Sequence, residues 1–210
     1  RKTNTLSFAV DGAQFPTQYS SLAGQFTLTF YKAQNVSVNF GDGTVINYVT
    51  TLVGSEHQIF FRTDGASGQT PYIYTDGNTG TRIVTFTFSE LIELKSVVIQ
   101  FCTVLGAFPV EIGVARKLET LSLRSLKISG FPTSLTFLNT IKTWSTRNAI
   151  INVIPQISEG LFNSPLETLT ISGTYDLSDL IASNFFKIDQ LKNTLVNFQA
   201  DLNNINAFPD

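Results

Sequence analysis

The sequence predicts a mainly β protein in two parts: an antiparallel β-sandwich over about residues 1–90, then a solenoid with a parallel sheet over 91–210. Three observations carry this reading. In the first part, short Thr-, Val- and Phe-rich runs alternate apolar and polar residues and are punctuated by Asp-Gly pairs, the grammar of antiparallel strands and tight turns. In the second part, Leu118, Leu121, Leu123, Leu126, Ile128, Phe131 and Pro132 set a spacing that Leu195, Phe198, Ala200, Asn203, Ile205, Phe208 and Pro209 return, and a step in the twenties marks a stacked repeat. Apolar residues make up 42% of the chain, with 18 Phe, so there is material for packed cores.

Taken in order, Thr5–Val10, Gln25–Tyr31, Val36–Phe40, Gln58–Arg62 and Arg82–Phe88 read as strands, and Asp11-Gly12, Asp42-Gly43, Asp64-Gly65 and Asp76-Gly77 as turns. In Phe40-Gly-Asp-Gly-Thr44, Phe40 ends an inward-facing strand, the glycines permit positive φ, and Asp42 can accept hydrogen bonds from turn amides. Asp42 is therefore read as turn chemistry, not as a calcium or ligand site. Thr75–Gly80 lacks the distal bidentate carboxylate of a calcium loop and is read as a hairpin turn. The segment Val36-Ser-Val-Asn-Phe-Gly-Asp-Gly-Thr44 resembles the PKD-type immunoglobulin-like module. Tyr72-Ile-Tyr74 and Thr81–Thr87 are similar to that module's final aromatic-turn-strand. The resemblance covers about residues 30–90 and departs from the family at Asn39, which often is Asp there, and in having no Trp before Phe40. It implies a spacer or adhesion module on a cell-surface protein.

From Leu94 onward, about five repeats start near Leu94, Leu118, Ile141, Leu166 and Leu195. The third reads Ile141, Trp144, Thr146, Ala149, Ile151, Ile154 and Pro155. The first carries one extra residue before Phe108-Pro109. The fourth (Leu166, Leu169, Ile171, Thr174) has no Pro step and runs long, through Phe185 and Phe186. This half resembles the leucine-rich repeat family, bacterial or plant-like in its Phe/Ile-Pro step, and the two modules together look like surface proteins of Bacteroidetes-type bacteria. The resemblance implies that Cys102 and Asn203 hold the ninth repeat position, where the family uses Cys or Asn to meet backbone groups in the turn. Cys102 is accordingly read as a buried small side chain and Trp144, at an inward position, as core.

Strand side chains alternate, so the residues between the inward ones form outward columns. The third positions are Ser96, Thr120, Thr143, Thr168 and Asn197; the fifth are Val98, Ser122, Ser145, Thr170 and Gln199. The seventh are Gln100, Arg124, Arg147, Ser172 and Asp201. The second positions, Lys95, Glu119, Lys142 and Glu167, alternate in charge and read as a register device. Arg124 and Arg147 fall on consecutive rungs of a Ser/Thr-rich concave face. With Phe101, Ser122, Ser145 and Asn148 they form the candidate binding surface, suited to a glycan acid or a partner carboxylate.

Charged residues are only 14% of the chain, net charge is −2 and no basic block stands out, which argues against nucleic acid as a partner. No apolar run approaches the roughly 18–20 residues that span a bilayer. The single cysteine excludes an internal disulfide. One histidine, His57, at the start of a predicted strand, reads as exposed and structural. One His and one Cys cannot supply a typical zinc set, no G-x-S-x-G elbow accompanies the histidine, and no phosphate-binding or dinucleotide motif is present. No enzyme activity, metal or cofactor is expected. The native start is expected upstream of Arg1, and the last repeat lacks the polar cap a solenoid needs, so further chain or another subunit is expected there. No Pro/Gly hinge separates the halves, which predicts a rigid junction with the sandwich against the first rung. The functional expectation is an extracellular or cell-surface recognition or adhesion protein that binds a protein or glycan. The alternative is a structural subunit of a particle or fibre, such as a phage virion or surface appendage, in which the repeats are scaffold.

Overall fold

The computed structural model describes residues 4–11, 25–62, 78, 80–100, 103–124, 126–150, 164–173 and 193–201. Among them the chain is mainly β, with mixed parallel and antiparallel pairing and no helix of seven or more residues. The strands are β1 (Thr5–Asp11), β2 (Gln25–Phe30), β3 (Asn35–Asn39), β4 (Val45–Val49), β5 (Thr51–Val53), β6 (Glu56–Arg62) and β7 (Thr81–Phe88). They continue as β8 (Leu94–Gln100), β9 (Val104–Ala107), β10 (Thr120–Leu123), β11 (Leu126–Gly130), β12 (Thr143–Ile150), β13 (Thr168–Gly173) and β14 (Asn197–Asp201). Short 3-10 turns cover Leu91–Glu93, Val110–Val114 and Thr133–Phe137.

The five strands expected in the first half form within a residue or two of their expected limits. Alternation dictates their faces: Leu6, Phe8 and Val10 of β1 and Val84, Phe86 and Phe88 of β7 are buried while their neighbours are not. β1 pairs antiparallel with β7, β3 adds to the other side of β7, and β4 adds to β3. β2 and β5 flank β6 in the same sense. The β3–β4 turn is made as its residues require. Gly41 and Gly43 have φ of +80° and +93°, and Asp42 Oδ1 accepts from the Thr44 amide at 2.9 Å. A Cβ on Gly41 would lie 2.7 Å from the Ile83 carbonyl oxygen. Strands β4 and β5 were not anticipated. They lie at sheet margins with Val45, Val49, Leu52 and Val53 exposed, so their sequences carry no apolar-in, polar-out contrast. The expected turns at Asp64-Gly65 and Asp76-Gly77 and the Tyr72–Tyr74 segment lie outside the described residues, as do Cys102, Ile154, Pro155, Phe185, Phe186 and 202–210.

In the second half, β8, β10, β12, β13 and β14 pair side by side and parallel. Their register aligns Val97, Leu121, Trp144, Leu169 and Phe198 in one column. The first four are buried, as are Ile99, Leu123, Thr146 and Ile171 in the next inward column. Leu94, which opens β8, and Leu118, Ile141 and Leu166, which precede β10, β12 and β13, are buried too. A second parallel set, β9–β11–β12, was not anticipated; it aligns Val104, Leu126 and Ala149. β12 belongs to both sets, bonding β10 through Thr143–Thr146 and β11 through Ala149 and Ile150.

The two halves share hydrogen bonds. β8 pairs antiparallel with β2, and β9 with β1, so neither parallel set begins with a bare edge. One buried cluster runs from Leu6 to Ile171. An aromatic chain threads it: Phe8 meets Phe108 at 5.6 Å between ring centroids, Phe108 meets Phe131 at 5.2 Å, and Phe131 meets Trp144 at 5.0 Å. Each such pair adds about 0.5–1.5 kcal/mol beyond its buried area. The 3-10 turns at Val110–Val114 and Thr133–Phe137 stack closely enough that a Cβ on Gly113 would lie 2.6 Å from that of Ser134. The Ser134 hydroxyl donates to the Val110 carbonyl.

Candidate functional site

Register fixes the outward columns. Ser96, Thr120, Thr143, Thr168 and Asn197 align, and so do Val98, Ser122, Ser145, Thr170 and Gln199. Adjacent strands lie about 4.8 Å apart, so the hydroxyls form two regular tracks. On β10 and β12 these side chains are half-buried and Thr170 on β13 is buried, whereas Asn197 and Gln199 on the last strand are exposed. Asn197 Nδ2 donates across the rung to Thr168 Oγ1 at 3.5 Å.

Where β10 ends, the Arg124 amide donates to the Ile99 carbonyl at 2.9 Å and keeps the chain in line with β8. Arg124 is half-buried and Arg147, one rung on, is exposed. Together with Gln100, Ser122, Leu123 and Ser145 they line a pocket of about 150 Å³. Arg124, Arg147, Ser122 and Ser145, all candidates from the sequence, are thus brought around one hollow. Gln100 was not among the candidates, although it shares the seventh column with the two arginines and could have been found there. Phe101 and the side chain of Asn148 lie outside the described residues.

The opposite rim of this face is also charged, and here the structure goes beyond the sequence reading. The backbone steps regularly, with the Glu119 amide on the Lys95 carbonyl, Lys142 on Glu119 and Glu167 on Lys142, each at 2.8 Å. Lys142 Nζ reaches Glu119 at 3.3 Å as charge alternation suggests, but Lys95 pairs instead with Glu56 of β6. The Tyr31 hydroxyl donates to Glu119 Oε1 at 2.5 Å. The ammonium groups of Lys95 and Lys117 sit 5.3 and 5.9 Å from the Tyr31 ring centroid. Lys117 and Lys32 converge on Glu93, at 2.7 and 3.3 Å. This rim therefore ties the N-terminal strands to the parallel ones and consumes its own charge in doing so. Burial raises the Tyr31 phenol well above its ordinary range, helped by the Glu119 carboxylate it donates to. Burial also pushes Glu119 up, but the bonds from Tyr31 and Lys142 outweigh it and hold that carboxyl below the usual range.

Glu93 is buried, with 3% of its surface exposed. The hydrogen bond from Lys117 lowers its pKa; burial opposes that shift, and Lys32 adds to it. A carboxyl held lower in the folded state stabilises the fold above its unfolded pKa of about 4.3 and loses that contribution as pH falls through the folded value. Glu93→Gln is expected to lower stability at pH 7 by about 1 kcal/mol, since both lysines are partly solvated. Denaturant titrations at pH 7 and at successively lower pH check this. The difference between the proteins should shrink in acid, and a constant difference would contradict the assignment.

His57, expected at the surface, is half-buried in β6 and stands opposite Phe30 and Leu52. Among the described residues no three His, Cys, Asp or Glu side chains lie together in a way that could hold a metal. No helix among them is long and apolar enough to cross a membrane. A second hollow of about 320 Å³ lies beside β3, β4 and β7, lined by Asn35, Ser37, Asn47, Tyr48 and Thr87 among others. It holds amides and hydroxyls but, apart from the Tyr48 phenol that burial holds above its ordinary range, no titratable group. No protein-family model matches this chain, and neither a curated protein nor a solved structure matches it.

Proposed function

We propose that the chain is a non-catalytic recognition or adhesion protein of the cell surface or extracellular space. In this reading a PKD-like sandwich over about residues 1–90 carries a leucine-rich-repeat solenoid over 91–210, whose concave sheet face takes a protein or glycan. The single observation that carries it is the run of in-register hydroxyl columns ending at a pocket between two arginines on consecutive strands. Such a face is polar, regular and rigid, and it offers hydrogen-bond donors without a reactive group. The in-register parallel pairing of residues spaced 23 to 29 apart supports the solenoid, and the FGDGT turn with its antiparallel strands supports the module before it.

The test is a screen of glycans and surface proteins against the wild type and a Ser122→Trp/Ser145→Trp variant. Two indole rings would cover the face without entering the core. Whatever ligand the wild type retains, the variant is expected to lose by about tenfold or more, the scale of losing one or two charge-assisted contacts. Equal binding by the variant would contradict the reading.

A second reading, a subunit of an assembled particle or fibre, is favoured by the apolar side chains at the sheet margins. Val45 and Val49 on β4, Leu52 on β5, and Val196 and Phe198 at β14 are all exposed. Unprotected strand edges invite pairing with another chain. Light scattering separates the two: a stable monomer supports recognition, and obligate assembly supports the subunit.

A further inference from the structure

We propose that the hollow between Arg124 and Arg147 is an acid subsite, taking the carboxylate of a uronic acid within a polysaccharide whose neighbouring sugars cross the strands over the hydroxyl columns. This rests on the concave-face reading above and names its ligand. Three features point to it. The hollow is about 150 Å³, room for a carboxylate and part of one sugar ring but not for a folded protein segment. Its charged lining is two arginines, whose planar forks match a carboxylate bidentately. Ser122, Ser145 and Gln100 add neutral hydrogen-bonding groups on its walls.

The surroundings of the hollow select a sugar over a protein. Stable protein interfaces are centred on large apolar or aromatic anchors. Around this hollow the outward side chains of β10 and β12 are Thr120, Ser122, Thr143 and Ser145, which offer small polar groups in rows. A row repeating about every 4.8 Å is close to the length of one sugar ring, so successive rings of a chain laid across the strands meet equivalent hydroxyls. The charge on the far rim does not compete for the ligand's acid, because Glu119 and Lys142 neutralise each other there. The acid is therefore read at one end of the strands and the neutral ring atoms across them, over the hydroxyl columns.

The experiment is calorimetric titration of the full chain with polygalacturonate, with the same polymer methyl-esterified, and with dextran sulfate. Polygalacturonate should bind, and esterification should weaken it by about tenfold or more, as should Arg124→Ala or Arg147→Ala alone. Arg147→Lys should recover part of the loss, since it keeps the charge and loses the fork. Arg147 is exposed, so its variants keep the fold, and an unchanged thermal melt verifies that. Equal binding of the esterified polymer, indifference to both arginines, or binding of dextran sulfate alone would overturn the acid subsite. If polygalacturonate fails while the Ser122→Trp/Ser145→Trp variant still loses another ligand, the subsite falls and the concave-face reading stands. If that variant loses nothing, both fall.

Discussion

Expressed without residues 1–90, the chain is expected to lose cooperative unfolding altogether. The reason lies in what covers the first parallel strands. β8 is hydrogen-bonded to β2 over Gln25–Phe30, and β9 to β1 at Ala9 and Val10. Phe8 packs on Phe108. Removing these strands opens two sheet edges and uncovers Leu94, Val97, Ile99, Val104 and Phe108, which are now between 0% and 3% exposed. Burying one large apolar side chain contributes about 1.5–3 kcal/mol, so partial exposure of five approaches the whole stability of a domain, about 5–15 kcal/mol. Guanidinium titration of the 91–210 fragment followed by circular dichroism checks this. A broad, featureless decline is predicted. A sigmoidal transition at the midpoint of the full chain would show that the parallel strands stand without their antiparallel neighbours.

The second large effect is expected at Trp144. It is 2% exposed, stands in register between Leu121 and Leu169, and ends the aromatic chain at Phe131. Truncation to Ala removes the largest side chain in the inward column and leaves a cavity that neighbouring strands cannot close. The expected cost is about 3–5 kcal/mol, which for a chain of this size lowers Tm by about 10 °C. Trp144→Phe provides the control. Among the described residues the buried indole nitrogen has no hydrogen-bond partner, so Phe loses some volume but also removes an unsatisfied donor, and should cost less than about 1.5 kcal/mol. Denaturant unfolding of both variants decides. Similar losses for Ala and Phe would indicate that the ring's size is not what the column needs.

The parts legible in the sequence are those with a short period. Alternation placed the antiparallel strands of the first half, and a step in the twenties placed β8, β10, β12, β13 and β14 along with their outward columns. Because register follows from those columns, the sequence alone places Ser122, Ser145, Arg124 and Arg147 on neighbouring rungs. What stayed hidden depends on contacts distant in sequence. Nothing local says that β2 lies beside β8, so Tyr31 on Glu119 and Glu56 on Lys95 were unreadable. Glu93 follows Leu91 and Ile92 and precedes Leu94. That setting resembles an exposed turn until Lys32 and Lys117 are brought to it from both sides. β9 and β11 were missed because strands of four and five residues inside a repeat's returning segment carry too little alternation to stand out from a turn.

Disulfide trapping reports on the parallel, in-register stacking of β10 on β12, from which the hydroxyl columns and the arginine pocket follow. In a Cys102→Ser background, Ser122→Cys/Ser145→Cys places two thiols on paired residues. Their Cα atoms should lie about 4.8 Å apart, within the roughly 4.4–6.8 Å a disulfide spans. Ser122→Cys/Arg147→Cys moves one thiol two residues along the strand, beyond that reach. Mild oxidation is predicted to close the first pair quickly and leave the second open. Equal closure of both pairs, or closure of the second alone, would contradict the register and with it the hydroxyl columns and the arginine pocket built on them.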